Sequence, residues 1–220
     1  MTTSYTEKEM ADSFAEILRS PKGLPTIGSF NGVFREVDCR QGRPDFIAVR
    51  NKANYEPPNL PDNLGYVGSA LLATLKPSSP RTIDYLVEHS EFSEQSVKRT
   101  LNLLVASTHV QRNDQGNYHL SPAVANRQVE IWAFELKLDN PRRAVYQAQC
   151  CCAYAHHTLI VVPPGKEKGY GRFDPTLTRW GIGLATFDPI EKEFCVTRRG
   201  TLSRTICPQH QIYTLAQIGI

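Results

Sequence analysis

The chain has 220 residues, 40% of them hydrophobic and 21% charged, which is ordinary for one globular domain or for one with a second small domain attached. Its 25 Lys and Arg residues nearly balance its 22 Asp and Glu residues, so the net charge of +3 does not by itself indicate a nucleic-acid partner. The mean hydropathy of −0.36 and the lack of an apolar run of about 18–20 residues argue against a membrane protein. Because the first ten residues are polar and include Glu7 and Glu9, we expect no secretory signal.

The six cysteines are expected to be reduced thiols of a cytoplasmic protein. They stand at positions 39, 150, 151, 152, 195 and 207. Three are consecutive, whereas a disulfide framework spaces its cysteines apart. Neighbouring side chains on a helix point about 100° apart, so Cys150, Cys151 and Cys152 cannot converge on one zinc ion. We interpret Cys151 and Cys152 as small core residues.

The first 63 residues predict one helix, two strands and a linker. A helix over Thr6–Arg19 is indicated by a capping box, in which Glu9 stands three positions after the cap. The segments Val33–Arg40 and Asp45–Arg50 are typical of two strands joined by a short turn. The prolines of Asn54–Asn63 predict a linker.

The residues that follow the linker predict three helices and a hairpin. The helices lie over Gly65–Leu75, Pro80–His89 and Ser93–Ser107, the last two with apolar residues at helical spacing. The strands Val110–Arg112 and Tyr118–Leu120 flank a polar turn that is typical of a β-hairpin. This order of elements is that of a winged helix-turn-helix. We therefore predict an inserted winged module at residues 64–122, between two parts of a core at 1–63 and 123–220.

The remaining sequence predicts further strands and a long helix. Val129–Leu138 is mostly apolar on both faces, as expected of a central strand. Pro141 is favoured at the first position of a helix, which is predicted to run to about His157. The other predicted elements are a buried strand at Thr158–Val162, a loop at Pro163–Pro175, strands at Gly181–Phe187 and Glu193–Arg198, and a tail, Gly200–Ile220, without a clear pattern.

Two charged side chains on the predicted central strand are the strongest candidates for chemistry. Glu135 and Lys137 are two positions apart, so their side chains leave the same face of a strand. Their neighbours along the chain are apolar, and a carboxylate and an ammonium in such surroundings are costly unless they pair or bind a ligand. An ion pair at the end of a strand is the simpler interpretation, and a catalytic pair is the other.

Asp45 favours the catalytic interpretation. It follows Pro44 at the start of the predicted strand that precedes the Glu135 strand once the inserted module is set aside. A carboxylate on each of two adjacent strands, beside a lysine, is typical of a site for a hard cation such as Mg²⁺, which prefers carboxylates, water and phosphate oxygens. The alternative role of Asp45 is that of a turn acceptor at the start of a strand.

This arrangement resembles the PD-(D/E)XK nuclease superfamily. The matching residues are Pro44-Asp45 and Glu135-Leu136-Lys137, in the family's order of helix, hairpin strands, Glu-x-Lys strand and following helix. The resemblance implies a restriction-endonuclease-like α/β fold, with a mixed central sheet flanked by helices and, here, an inserted winged helix-turn-helix. It also implies that Asp45, Glu135 and the Leu136 carbonyl hold Mg²⁺, with Mn²⁺ as a substitute, and that Lys137 assists the attack of water on a phosphodiester.

The spacing of the two acidic residues departs from the family pattern. Asp45 and Glu135 are 90 positions apart, whereas the family usually shows a single strand step. The predicted module at 64–122 accounts for most of this difference. Such an insertion is compatible with the fold because loop length costs little entropy, and it would hold DNA beside the metal.

Gln147 and three glutamates are further candidates. Gln147 lies beside the buried face of the last predicted long helix and matches a glutamine of the RecB-like members of the superfamily. Those members place a tyrosine four residues later, where this chain has Cys151. The alternative is that Gln147 is only a solvated residue of the helix. Family members also often recruit a glutamate from the first helix, and Glu7, Glu16 and Glu36 compete for an accessory acidic role.

Candidate DNA contacts lie mainly on the third helix of the predicted module. Lys98 and Arg99 suit contact with phosphate or guanine, and Gln95 suits adenine. Glu91 and Glu94 weaken the basic character of this surface, so a protein-binding winged helix with a solvated face is the alternative. The predicted DNA contacts are Gln95, Lys98, Arg99, Arg112, Arg142 and Arg143.

Together these features predict a metal-dependent DNA endonuclease that hydrolyses phosphodiester bonds. DNA is the expected partner, and a homodimer and additional subunits of a DNA-processing complex are both compatible with the sequence. A catalytically inactive DNA-binding protein on a nuclease-like core is the first alternative, although the intact Asp45, Glu135 and Lys137 favour the enzyme. An RNA-processing nuclease ranks last, because the sequence shows no basic patch interleaved with aromatic residues.

Overall fold

The computed structural model describes residues 5–51, 59–61, 64–125 and 128–220. The chain forms two compact units, one of Met1–Ala53 with Val129–Ile206 and one of Asn54–Gln128 with Cys207–Ile220. This division differs from the predicted one at the C-terminus, because Cys207–Ile220 groups with the inserted segment instead of the core. The predicted linker, Asn54–Asn63, lies mostly outside the described residues.

The described residues form eight α-helices, eight β-strands and one 3₁₀ helix. In chain order they are α1 (Glu7–Arg19), β1 (Gly32–Arg35), β2 (Phe46–Asn51), α2 (Gly65–Thr74), α3 (Ile83–Ser90), α4 (Glu94–Ala106), β3 (Val110–Arg112), β4 (Tyr118–Leu120), α5 (Pro122–Ala125), β5 (Val129–Leu136), α6 (Pro141–Cys151), β6 (His157–Val162), a 3₁₀ helix (Lys166–Phe173), α7 (Asp174–Trp180), β7 (Gly183–Asp188), β8 (Glu193–Arg198) and α8 (Pro208–Gln217).

The first unit is an α/β structure with a mixed sheet flanked by helices, which confirms the predicted class. As counted in the described residues, the sheet has six strands in the order β1-β2-β5-β6-β7-β8. The strands β5, β6 and β7 are parallel neighbours, whereas the pairs β1–β2, β2–β5 and β7–β8 are antiparallel. The two strands predicted to carry the acidic residues, β2 and β5, are therefore direct neighbours.

Helix α1 packs on one face of this sheet. Thr6 and Glu9 form the predicted capping box: the Thr6 hydroxyl accepts from the Glu9 backbone N–H at 3.2 Å, and Glu9 Oε2 accepts from the Thr6 backbone N–H at 2.7 Å. Phe14 is fully buried, and its ring lies 5.7 Å from that of Phe46 and 5.5 Å from that of Phe134. These aromatic contacts fix α1 over β2 and β5.

Alternation along β5 decides which face carries the candidate site. Phe134 and Leu136 belong to the cluster under α1, so Glu135, which stands between them, points to the opposite face. Helix α6 covers that opposite face, where Ala144 and Ala148 are buried in a second cluster with residues of β6 and β7. The candidate site therefore lies on the α6 side of the sheet.

Two predicted boundaries differ from the structure by five residues or more, for local reasons. Strand β1 ends at Arg35 instead of Arg40, because Glu36 and Arg40 have φ angles of 49° and 62°, which an extended strand does not allow. Helix α6 ends at Cys151 instead of near His157. The reason is that the backbone N–H of His156 already bonds to the Ile131 carbonyl at 2.9 Å, so the chain has entered the sheet by that point.

The segment Pro163–Pro175, predicted as a loop, is largely helical. It contains the 3₁₀ helix Lys166–Phe173 and the start of α7. Pro175 is compatible with α7 because it lies in the first turn, where no helical hydrogen bond is lost. Tyr170 is buried in the cluster beneath α6, and this burial explains why a segment rich in Gly and Lys folds onto the sheet.

The second unit contains the helices α2 to α5 and α8 and the hairpin β3–β4. Ser93 caps α4 as predicted, accepting a hydrogen bond from the backbone N–H of Ser96. Val97, Leu101 and Leu104 form the buried face of that helix. The strands β3 and β4 pair in antiparallel fashion, with the bounds predicted from the sequence.

The C-terminal tail, in which the sequence showed no clear pattern, contains α8. This helix packs against α2: the ring of Tyr66 lies 6.1 Å from that of Tyr213 and 5.7 Å from that of His210. In the ranges that the structure describes, none of the helices combines the length and the apolar character needed to cross a membrane.

Candidate active site

The pairing of β2 with β5 brings two distant carboxylates to one end of the sheet. Phe46 pairs with Phe134 in antiparallel register, and one further step places Asp45 opposite Glu135. Asp45 Oδ2 accepts a hydrogen bond of 2.7 Å from the backbone N–H of Leu136. Asp45 is therefore held at the end of β5, although 90 positions of sequence separate it from Glu135.

The ammonium group of Lys137 lies between these carboxylates. Its Nζ is 2.8 Å from Glu135 Oε1 and 3.8 Å from Asp45 Oδ2. It also donates a hydrogen bond of 2.9 Å to the carbonyl oxygen of Leu136. One positive charge thus contacts oxygen atoms of all three residues predicted to hold a metal ion. The folded chain brings Asp45, Glu135, Leu136 and Lys137 together. The oxygens of the first three converge on the Lys137 ammonium.

Burial controls the protonation of this cluster. Only 1% of Glu135 is exposed, and burial, together with repulsion by Asp45, raises the pKa of Glu135 to about 7 despite the nearby Lys137. Burial also raises the pKa of Asp45 against the opposing effects of Lys137 and the Leu136 N–H. For Lys137, burial acts to lower the pKa, but the charges of Asp45 and Glu135 outweigh burial and leave it raised. The raised pKa values mean that the positive charge of Lys137 is favoured in this cluster, whereas simultaneous ionisation of both carboxyl groups is unfavourable.

The Glu135 carboxylate has unused capacity to accept hydrogen bonds. Within the described ranges, neither buried oxygen accepts a hydrogen bond of good geometry, although the Lys137 ammonium is in contact. Buried polar atoms nearly always have hydrogen-bond partners, so this carboxylate is free to accept from a water molecule or to bind a cation. No three His, Cys, Asp or Glu side chains of the described residues are placed to share a metal ion. A hard cation fits nevertheless, because Mg²⁺ accepts a few carboxylates, a carbonyl oxygen and water.

Glu135 borders a cavity of about 320 Å³ that reaches the protein surface. Residues 40–44, in the β1–β2 connection, form one wall, and residues of α6, among them Tyr146 and Gln147, form the other. The side-chain oxygen of Gln147 is buried and accepts no hydrogen bond from the described residues. Gln147 and Glu135 thus line the same cavity, where a bound water molecule could donate a hydrogen bond to the Gln147 oxygen.

Glu7 is the nearest of the three competing glutamates to the cluster. Its Oε1 accepts a hydrogen bond of 3.3 Å from the backbone N–H of Leu138. The charges of Glu7 and Glu36 both act to raise the pKa of Asp45. Of the three, only Glu7 also acts to raise the pKa of Glu135 and that of Lys137, so Glu7 is the candidate that the electrostatics favour. The other two form exposed ion pairs, Glu16 with Lys192 at 2.6 Å and Glu36 with Arg43 at 3.3 Å.

Four further residues near the cluster were missed by sequence reasoning. Arg40 and Arg43 line the cavity, and their place just before Asp45 was the one signal that could have found them. Tyr146 also lines the cavity. Burial, followed by the negative charge of Glu135, raises the pKa of Tyr170, so its hydroxyl lies within electrostatic range of the cluster. No periodic pattern in the sequence marks Tyr146 or Tyr170, because they stand on separate elements, α6 and the 3₁₀ helix.

Two of the three consecutive cysteines pack in the core. Cys151 and Cys152 are buried, as predicted. Tyr154 donates its hydroxyl to Cys151 Sγ at 3.1 Å. Burial raises the pKa of both thiols, so they remain protonated at neutral pH. No disulfide bond joins any of the six cysteines, all of which lie within the described ranges.

The predicted DNA contacts are accessible to solvent. Lys98 forms an ion pair with Glu94, one helical turn earlier on α4. Arg112 donates a hydrogen bond of 3.3 Å to the carbonyl of Gly116 across the hairpin turn. Both are exposed contacts that can exchange for a phosphate at low cost. The exposed candidates are Gln95, Lys98, Arg99 and Arg112 in the second unit and Arg142 and Arg143 in the first.

Comparison of the chain with protein-family models, with curated proteins and with solved structures found no match. Its function must therefore be inferred from the residues of the site.

Replacing Glu135 with Gln is expected to stabilise the cation-free protein at alkaline pH. The pKa of Glu135 is raised from 4.5 to about 7, so folding favours the protonated carboxyl, and its contribution to stability is lost as the pH rises from about 4.5 through 7. Above pH 8 the neutral amide should raise the free energy of unfolding by up to about 3 kcal/mol, since each pKa unit corresponds to about 1.4 kcal/mol.

Urea denaturation in the presence of a chelator, at pH 4 and at pH 8.5, measures this difference. The exposed Glu16→Gln variant is the control and should differ little from wild type at either pH. A Glu135→Gln variant that is less stable than wild type at pH 8.5 would show that the charged carboxylate stabilises the fold, contrary to this expectation.

Proposed function

We propose that the protein is a Mg²⁺-dependent endonuclease that hydrolyses phosphodiester bonds in DNA. The observation that carries this proposal is the convergence of oxygens of Asp45, Glu135 and Leu136 on one cation, the Lys137 ammonium. Buried carboxylates are unfavourable without a paired positive charge, and the adjoining cavity leaves room for a substrate phosphate. These are the features expected of metal-assisted hydrolysis of a phosphate ester.

Different residues of this chain would bind the metal ion and position the attacking water. Asp45, Glu135 and the Leu136 carbonyl would hold Mg²⁺, which when bound supplies Lewis-acid stabilisation and a more acidic water molecule. In the cation-free chain the Lys137 ammonium holds the place between these oxygens that Mg²⁺ would take. The displaced ammonium, with its three N–H donors, could then orient the attacking water and balance the charge that develops on the phosphate. The Gln147 side chain, with its buried oxygen in the cavity, can hold the same water in place.

The order of elements supports a restriction-endonuclease-like core in the first unit. Helix α1, the antiparallel pair β1–β2, the Glu-x-Lys strand β5 and helix α6 follow one another as in that superfamily. In the second unit, the helices α2, α3 and α4 and the hairpin β3–β4 have the order of a winged helix-turn-helix. On this proposal α4 is the helix that meets DNA.

Removing either the acid or the lysine is expected to stop cleavage. Asp45→Ala takes away one of few protein ligands for the cation, and Lys137→Ala takes away the group that orients water, so each should lower turnover by at least about 100-fold. Cleavage of plasmid and of structured oligonucleotides, with Mg²⁺ or with chelator, measures the effect. Lys192→Ala, which alters an exposed pair with Glu16, is the matched lysine control and should cut normally.

Lys137→Ala should still bind DNA, because one lysine makes a small share of the phosphate contacts. Cleavage that survives chelation, or an Asp45→Ala variant as active as wild type, would rule out the assigned site. A Lys137→Ala variant that binds weakly yet turns over normally at saturating DNA would make Lys137 a binding residue.

The basic residues of α4 are expected to supply DNA affinity. The double variant Lys98→Ala, Arg99→Ala should bind duplex more weakly at moderate salt, and the slope of log affinity against log salt should become shallower by up to about 2. Titration of labelled duplex at several salt concentrations measures both. The control is Arg19→Ala, Lys22→Ala at the exposed end of α1. Unchanged affinity and slope in the α4 variant would assign this helix to protein contact instead.

One observation favours a second function. The Lys137 ammonium already pairs with both carboxylates, at 2.8 Å from Glu135 and 3.8 Å from Asp45, and such an ion pair can serve structure alone. The protein would then be a DNA-binding protein on a nuclease-like core without activity. Binding of DNA by wild type with no cleavage in Mg²⁺ or Mn²⁺ identifies this case.

A further inference from the structure

Tyr146 presents an aromatic ring at the mouth of the candidate active-site cavity. It stands on α6 directly before Gln147, and 67% of the residue is exposed. It lines the same cavity as Glu135. A single exposed aromatic residue is common on protein surfaces, so its surroundings decide whether it has a role.

Two arginines line the other wall of the cavity. Arg40 and Arg43 are both exposed, and both belong to the β1–β2 connection. Gly42 lies between them with a φ angle of 140°, which favours glycine, and a Cβ at this position would lie only 3.4 Å from the Cβ of Cys150 on α6. The loop therefore approaches α6 closely and holds both arginines at the rim. Arg43 pairs with the Glu36 carboxylate and also donates from Nε to the Glu36 carbonyl at 2.7 Å. Both contacts are exposed, so the ion pair can exchange for a phosphate at low cost while the hydrogen bond holds the arginine in place.

The aromatic ring and the two guanidinium groups together match one nucleotide whose base is exposed. Guanidinium groups bind phosphate oxygens in a fixed geometry, and aromatic side chains stack on the faces of bases. In a continuous duplex the base faces are covered by their neighbours, so Tyr146 can stack only on a base that has left the helix. The cavity of about 320 Å³ is at the lower end of the range for small-ligand sites, about 300–1,000 Å³, which suits one nucleotide better than two paired strands.

The distribution of charge in the cavity determines which end of this nucleotide points inward. The positive side chains of Arg40 and Arg43 lie at the rim. The carboxylate of Glu135, paired with the Lys137 ammonium, lies in the interior. A phosphate that passes the arginines therefore meets the groups assigned to hydrolysis, while the base attached to it remains at the rim beside Tyr146.

We propose that Tyr146, Arg40 and Arg43 bind an unpaired nucleotide next to the phosphate that is cut. The substrate class is then DNA with a single-stranded segment, such as an overhang, a gap or a flap, and not continuous duplex. This inference rests on the proposed nuclease function for the cut, but the stacking contact itself can be measured without cleavage.

Stacking is tested in chelator with the full chain and a single-stranded DNA oligonucleotide that contains 2-aminopurine, whose fluorescence falls when the base stacks. Wild type should quench the probe, and Tyr146→Ala should bind roughly 5- to 100-fold more weakly, as expected for the loss of one stacked base. Tyr146→Phe keeps the ring and should bind like wild type. Ile190→Ala, at an exposed apolar side chain outside the cavity, is the matched control. Equal quenching and affinity for Tyr146→Ala and wild type overturn the inference.

Cleavage in Mg²⁺ separates this inference from the proposed function. Wild type should cut a gapped or overhanging duplex faster than a fully paired duplex of the same sequence, and Tyr146→Ala should reduce that preference. If wild type cuts both equally, the inference fails and the nuclease function stands. If wild type stacks the probe through Tyr146 but cuts no DNA, the nuclease function fails and the nucleotide contact stands. Tighter binding and faster cutting of RNA of the same sequence overturn the choice of DNA.

Discussion

A buried carboxylate and a half-buried one at the ends of neighbouring strands require a positive charge between them. Glu135 is buried and Asp45 is half-buried, and burial raises the pKa of each. The Lys137 ammonium supplies the charge, in contact with Glu135 and with the carbonyl of Leu136. Because removing one partner of a buried ion pair leaves an uncompensated charge, the three side chains act as one unit. The same few atoms therefore limit the stability of this end of the sheet and define its chemistry.

The register of β2 against β5 brings Asp45 close to Glu135. A slip of one residue would turn the Asp45 side chain to the other face of the sheet. Phe46, the next residue, is fixed by its contact with Phe14 of α1 and by its pairing with Phe134, so the register is set by buried aromatic side chains. Because loop closure depends only weakly on length, two strands paired in this way can accommodate a long segment between them. The helix that caps one face thus determines where an acid on the other side of the sheet is placed.

Local rules predicted part of this structure, and long-range contacts decided the rest. The capping box at Thr6 and the apolar neighbours of Glu135 are visible within a few residues of sequence, so the first helix and the unusual position of Glu135 could be predicted. The early end of β1 depends on the positive φ of Glu36, and α8 exists because an apolar face of α2 packs against it. Neither cause leaves a periodic pattern. Arg40 and Tyr146 are about a hundred positions apart, and only the fold shows that they border one cavity, so a search for a continuous basic and aromatic stretch missed them.

The position of a bound cation tests the central claim most directly. Crystals of the wild-type chain soaked in Mn²⁺ can be measured at the manganese absorption edge. We predict an anomalous peak in contact with the carboxylates of Asp45 and Glu135 and with the carbonyl oxygen of Leu136. A saturating soak that shows no peak at these oxygens, with the Lys137 ammonium still between the two carboxylates, would contradict the assignment of this cluster as a cation site.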